Sequence, residues 1–263
     1  MKPFGLVNTG SICYFNSILQ TLLSCKYVIE HVTKEAPKND VQACFKEYIE
    51  LALDGAPDPM FSQRLLGELL KLIPNARQYY GQQSSSEFFL FLVDKLDLEY
   101  YFMHRHRIDI KCNKCDTSTK SKDEANHFEH FDAASETDIE SFFKRVELGV
   151  EGYNCETCKY KTTCDIVRNA TLIPEYLMIV YNKYFSKRCI PFPKTFEKKV
   201  DSGKKLKYRA ISQIEHYGSL GGGHYLCRVM RDGAFYECND QSITQVAELS
   251  ATPETYCVLY ELV

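Results

Sequence analysis

Residues 5–25 read GLVNTGSICYFNSILQTLLSC, and the reading of Cys13 within them governs how the rest of the chain is understood. A Gly10-Ser11 turn precedes the cysteine, and Ile18, Leu19, Leu22 and Leu23 follow it at helical spacing. The spacing predicts a helix beginning at or just after Cys13. A thiolate, not a thiol, attacks carbonyls, and the unpaired N–H groups at a helix start favour the anion. On this segment alone, a buried thiol at a helix start is the better reading.

The chain of 263 residues is long enough to bury a large core, and its 44% hydrophobic and 25% charged content are those of a globular protein. A net charge of −3 gives no reason to expect a nucleic-acid partner. No apolar run approaches a membrane span, and MKPFGLVNTG lacks the apolar core of a signal peptide. These features predict an intracellular protein, cytoplasmic or nuclear, with no membrane partner. Twelve cysteines in a reducing compartment are then thiols, metal ligands or catalysts.

Helical patterns fill the first hundred residues. DVQACFKEYIELAL predicts a helix with Asp40 as N-cap, GAPDP at 55–59 breaks it, and FSQRLLGELLKLI predicts another, stopped by Pro74. SSSEFFLFLVDKLDLEY predicts a fourth, with serines as capping candidates. From about residue 106 short alternating segments read as strands. LIPEYLMIVYNKY (172–184) reads as one central strand, and RVMRDGAFYEC as a hairpin turning at Asp232-Gly233. The pattern is α+β: a helical N-terminal half on a C-terminal sheet.

Two Cys-x-x-Cys pairs, Cys112/Cys115 and Cys155/Cys158, supply four soft ligands suited to a closed, structural zinc site at the tip of a β-rich excursion. His127 and His130 alternate with Phe128 and Phe131, a strand pattern rather than a ligand set. GSLGGGHYLC places His224 after three glycines, and YECND offers Asn239 and Asp240 fifteen residues on. A side-chain oxygen there could fix the tautomer of His224. Cys, His, Asn is the chain order of papain-like proteases, distant in sequence and adjacent in space. His216 lacks such a partner and reads as packing; His31, His104 and His106 read as surface histidines.

Together these segments resemble the ubiquitin-specific proteases, cysteine deubiquitinases with helical thumb, β-rich palm and zinc-bearing β fingers. GLVNTGSICYFNSILQ resembles the family's Cys box, GQQSSSEFFLFLVDKL its Gln-Gln-Asp helix, and YRAISQIEHYGSLGGGHYLC…YECND its His box. The resemblance runs from Gly5 to about Leu262. It implies a single papain-like catalytic domain over 1–263, with thumb about 1–105, fingers about 106–170 and palm about 171–263. Carried over, Cys13 is the nucleophile, His224 the base and Asn239 the third member, with Asp240 assisting. Asn8 would offer its amide, with the Cys13 N–H, to the oxyanion. Gln83, Ser84, Glu87, Gly222, Gly223 and Tyr225 would bind substrate. The implied partner is ubiquitin, its conjugates or another ubiquitin-like modifier, acted on by a monomer whose zinc is structural and whose catalysis needs no cofactor.

The chain departs from the family where Ser84 stands in place of Asp and Ser86 in place of a larger polar residue, which predicts weaker ubiquitin affinity or an altered modifier preference. Asn182, Lys183 and Tyr184 differ conservatively from the usual strand ending. The segment from Lys194 to Arg209 carries seven Lys or Arg and reads as a solvated hairpin face rather than a nucleic-acid patch. Two other readings remain open at this point: a catalytically dead ubiquitin binder or zinc scaffold, and a peptidase of general specificity.

Overall fold

The structure, a computed structural model, describes residues 1–73, 79, 81–120, 124–132, 139–182, 188–199, 204–219 and 221–263. Helices come first: α1 (Cys13–Leu22), α2 (Lys26–Lys34), α3 (Asp40–Leu53), α4 (Phe61–Leu70), α5 (Ser85–Lys95) and the single turn α6 (Glu99–Phe102). The sequence pattern points to four of these. α2 escapes it because the helix buries only Val28 and Val32, too few apolar positions for a periodicity. The cap of α3 is Asn39 rather than Asp40: its extended backbone lets Oδ1 accept from Gln42 N at 2.9 Å, while Asp40 is already helical. Pro74 lies outside the described residues.

An antiparallel sheet of five strands follows, built from β1 (His104–Cys112), β2 (Ser118–Lys120), β3 (Glu124–Asn126), β5 (Lys144–Asn154) and β6 (Lys161–Leu172). Its order is β2-β1-β6-β5, with β3 also on β1. The second sheet has eight strands: β4 (Glu129–Asp132), β7 (Tyr176–Asn182), β8 (Thr195–Lys199), β9 (Lys205–Ser219), β10 (Gly222–Arg231), β11 (Ala234–Asn239), β12 (Ser242–Val246) and β13 (Thr255–Leu262). It runs β12-β11-β10-β9-β13-β7-β4, with β8 on β9. The one-turn helix α7 (Glu140–Phe143) precedes β5.

The stretch 172–184, which reads as one strand, is two pieces. β6 ends at Leu172 and β7 begins at Tyr176, with Pro174, which has no N–H for a ladder, in the break. From Tyr176 to Tyr181 β7 is an unbroken hydrophobic run because both its faces are covered. Tyr176, Met178 and Val180 pack in the core with the helices, while Leu177, Ile179 and Tyr181 join Phe142, Tyr208 and Tyr260 on the other side. Lys183 and Tyr184 are outside the described residues.

Asp232 and Gly233 both take positive φ, 49° and 79°, the two-residue hairpin turn expected between β10 and β11. The glycine segment is not a free loop but the tip of the β9–β10 hairpin, where Gly218 pairs with Gly223 and Ser219 with Gly222. A Cβ on Gly218 would stand 2.4 Å from the Gly222 carbonyl oxygen, so the strands can close only with glycine there. In the basic segment, three of the seven basic residues, Lys194, Lys207 and Arg209, pair with Glu248, Glu197 and Glu261. Among the described residues, no helix is long and apolar enough to cross a membrane.

Candidate active site

Cys13 is the first residue of α1, a helix buried along its whole length and packed on β10. Its side chain is buried, and its sulfur receives the main-chain N–H of Tyr225, the residue after His224. Burial pushes the Cys13 thiol up. The Tyr225 amide and the N–H groups of Tyr14 and Cys13 pull it down, and the nearby Asp240 carboxylate adds to the rise. The helix start therefore favours the thiolate as expected, but desolvation outweighs it.

His224 on β10 and Asn239 at the end of β11 meet across the hairpin, with Nε2 and Oδ1 2.7 Å apart. Since an amide oxygen only accepts, His224 Nε2 carries the proton and Nδ1 is left as the basic nitrogen. Asn8 is held by its own loop, its Oδ1 accepting from Gly10 N at 3.2 Å and Ile12 N at 3.3 Å. Its Nδ2 donates one hydrogen to Asp240 Oδ2 at 2.9 Å and keeps a second to offer. Asp240 also accepts from Asn16 Nδ2 at 2.7 Å, and its main-chain oxygen accepts from Leu6 N. The loop and the hairpin touch backbone to backbone here: a Cβ on Gly5 would lie 2.4 Å from the Gln241 oxygen.

A cleft of about 300 Å³ brings together Gln83, Ser84, Glu87, Gly222 and Tyr225 from the expected substrate set, beside His216 and Ser219. Gly223 lies at its edge, where Gln82 grips it twice: Nε2 donates to the Gly223 oxygen and Oε1 accepts from the Gly223 N–H, both at 2.6 Å. Ser84 is the N-cap of α5. Its hydroxyl accepts from Glu87 N and contacts the Tyr256 hydroxyl and Ser86 Oγ at 3.1 Å each. His216 stacks on Tyr225 with ring centroids 4.4 Å apart, the packing role expected of it.

The four paired cysteines converge at the end of the five-stranded sheet, Cys112 Sγ 3.9 Å from Cys158 Sγ and Cys115 Sγ 3.7 Å from Cys155 Sγ. Tetrahedral zinc with bonds of about 2.3 Å needs sulfurs about 3.8 Å apart, so this donor set fits the ion. Both knuckles use the same turn: Asp116 and Lys159 follow the second cysteine at φ 58° and 60° and bond back to the carbonyls of Cys112 and Cys155. The Thr117 hydroxyl and amide draw Cys115 down to about 6, the thiolate form a metal takes. All twelve cysteines are free of disulfides. His127 and His130 are not in this cluster.

Two expectations need correction. His104 and His106 are not surface residues; with Ile108 they share the inward face of β1, at 0% and 6% exposure. Only His31 of that trio is partly exposed, its ring against Tyr101. Sequence reasoning also passes over Gln82 and Asn16. Asn16, about one helical turn after Cys13, shares its buried helix with the polar Ser17, Gln20 and Thr21, so no sequence signal singles it out; nothing in Gln82-Gln83 tells which glutamine reaches Gly223.

This arrangement has the parts for acyl transfer: a cysteine at a helix start, an oriented histidine and amide donors beside the sulfur. The family model described as ubiquitin carboxyl-terminal hydrolase matches residues 4–260. The chain belongs to that family. Among curated proteins it is similar to ubiquitin carboxyl-terminal hydrolase 17-like protein A of Mus musculus, 23% identical over 97% of this chain and 56% of that protein. It is also similar to ubiquitin carboxyl-terminal hydrolase 11 of Schizosaccharomyces pombe, 23% identical over 98% of this chain and 84% of that one. The chain thus spans about half the length of the mouse relative. Among solved structures, a SAGA DUB module of Ubp8, Sgf11, Sus1 and Sgf73 bound to monoubiquitin matches with a TM-score of 0.83 at 18% identity, over 99% of this chain and 69% of that one. The same module bound to ubiquitin aldehyde gives 0.79 at 19%, over 99% and 70%. These neighbours share the α+β fold of this chain.

Proposed function

We propose that the chain is a thiol-dependent deubiquitinase that hydrolyses the peptide or isopeptide bond at the C-terminal glycine of ubiquitin. The observation that carries this reading is the 2.7 Å His224–Asn239 bond on the strand whose next residue, Tyr225, gives its main-chain N–H to the buried Cys13 sulfur at the start of α1. A scaffold or pure binder has no use for an oriented base next to a thiol. His224 Nδ1 takes the Cys13 proton as the sulfur attacks the glycine carbonyl. The free Asn8 amide hydrogen and the Cys13 N–H receive the developing oxyanion. His224 then protonates the departing lysine amine, leaving a thioester, and activates the water that releases it. Asn239 keeps the imidazole in the reactive tautomer throughout, and Asp240 holds Asn8 in place.

The ubiquitin tail enters by the cleft of Gln83, Ser84, Glu87, Gly222, Gly223 and Tyr225, whose glycines leave room only for a Gly-Gly end. The division into thumb (1–105), fingers (106–170) and palm (171–263) belongs to this reading. So do zinc held by the four cysteines, action as a monomer and an intracellular location. Likeness to a module bound to monoubiquitin supports ubiquitin over other modifiers. A ubiquitin C-terminal suicide probe tests the proposal: wild type should be labelled at Cys13 and Cys13→Ala should not. A folded, zinc-loaded wild type that ignores the probe refutes it. Cleavage of unstructured casein instead would favour a general peptidase.

A further inference from the structure

Two buried histidines and a carboxylate converge where the two sheets meet, far along β1 from the four cysteines. His104 Nε2 and His106 Nδ1 lie 2.9 Å and 3.3 Å from the same oxygen, Glu129 Oε1, and the three atoms are all within 4.8 Å of one another. Their protonation is constrained. His106 Nε2 is 2.6 Å from the Phe142 carbonyl oxygen and must donate to it, which leaves the Nδ1 lone pair facing a carboxylate lone pair. Only a cation between them, a proton or a metal, makes that contact attractive.

We infer that His104, His106 and Glu129 form a second divalent-metal site, of the zinc class, that rivets β1 of the five-stranded sheet to β4 of the eight-stranded one. Zinc bonds of about 2.0–2.1 Å in tetrahedral geometry set donors about 3.3–3.4 Å apart. The triad's separations from Glu129 need only tenths of an ångström of adjustment. The Phe142 carbonyl on His106 Nε2 is the outer partner that metal-bound imidazoles require. Phe142 also packs edge-on against both rings, at 5.1 Å and 5.2 Å, and holds them in register. His104 Nδ1 has no hydrogen-bond partner among the described residues, so a ring presenting its Nε2 lone pair to a metal breaks no described bond at Nδ1.

The fourth coordination position opens onto a cavity of about 60 Å³ bordered by His106, Glu129 and Asn126, room for a water ligand. Arg145 and Arg168 also border it, but each has a carboxylate of its own, Glu147 at 3.2 Å and Glu124 at 3.9 Å. β1 would then carry ligands for two metals, His104 and His106 at its start and Cys112 at its end.

Elemental analysis of the whole chain purified with zinc tests this. Wild type should hold two zinc ions per chain, and His106→Ala and Glu129→Gln one each. The second variant keeps the shape of the site should the first fail to fold. In the cobalt-substituted wild type, one equivalent should show sulfur charge-transfer absorption and the other only ligand-field bands. One zinc in the wild type, two retained in a folded variant, or sulfur ligation of both cobalt ions overturns the site; the first result would leave a proton as the occupant.

Discussion

Replacing Asp240 by Asn separates the charge of this residue from its shape. Its carboxylate accepts from Asn8 at 2.9 Å and from Asn16 at 2.7 Å, and its charge helps raise the Cys13 thiol. The amide in Asp240→Asn offers one acceptor oxygen, so one of the two asparagines would face an NH₂ group and exchange its charge-assisted bond for, at best, a neutral one made by turning its own amide. Asn8 stays oriented by the Gly10 and Ile12 amides, so the loss falls mainly on Asn16 and on the tie between α1 and β11. A hydrogen bond to a charged group contributes about 1.5–3 kcal/mol, and losing about 2 kcal/mol should lower Tm by roughly 4–8 °C in a chain of this size. With the negative charge gone, the thiol pKa should fall. Thermal melts at fixed zinc check the first effect. The pH dependence of Cys13 alkylation, with Cys13→Ala as background, checks the second. A midpoint that stays put or moves up, or an unchanged Tm, refutes the role given to the carboxylate.

Ser84→Asp keeps a good N-cap on α5 and adds a negative charge to the cleft beside Glu87, so turnover of ubiquitin substrates should rise; equal turnover removes the argument from the missing family Asp. Gln82→Ala loses both bonds to Gly223, and kcat/KM on a ubiquitin C-terminal substrate should fall about tenfold, about 1.4 kcal/mol of transition-state stabilisation. Undiminished turnover would make the grip incidental. Burial lifts Cys257 from 9.0 to about 12. The folded value is the higher one, so the stability this thiol contributes is complete below pH 9 and drains away as pH rises toward 12. Between about pH 8 and pH 10 wild type should lose on the order of 1 kcal/mol from this group that Cys257→Ala does not lose; denaturant melts with equal losses contradict the assignment.

Much of the site can be read from sequence because its geometry is local. A helix start shows in the spacing after Cys13, a two-residue turn in Asp232-Gly233, and a metal knuckle in each Cys-x-x-Cys. What escapes depends on partners far along the chain. His104 and His106 look like surface residues in a strand written HRHRIDIKC until β4 supplies Glu129 and α7 supplies Phe142. Gln82 is one of two adjacent glutamines, and only Gly223, 141 residues away, selects it. The break at Pro174 is hidden by apolar residues on both sides of it, which follow from a strand covered on both faces.

How two segments more than two hundred residues apart are held in register has an electrostatic answer. α1 and the loop before it carry Asn8, Cys13 and Asn16, whereas the β10–β11 hairpin and the turn after it carry His224, Asn239 and Asp240. Asp240 binds the beginning of α1 through Asn16 and the preceding loop through Asn8. At the other end of the helix the buried Arg231 donates to the Gln20 carbonyl at 2.5 Å and to Ser24 Oγ at 3.0 Å. An acid thus sits at the positive end of the helix dipole and a base at the negative end, one from the turn after β11 and one from the end of β10. Sliding α1 by one residue along β10 would break contacts at both ends at once. The same placement adds to the rise that burial gives the Cys13 thiol: the carboxylate that holds Asn8 is close enough to oppose the thiolate.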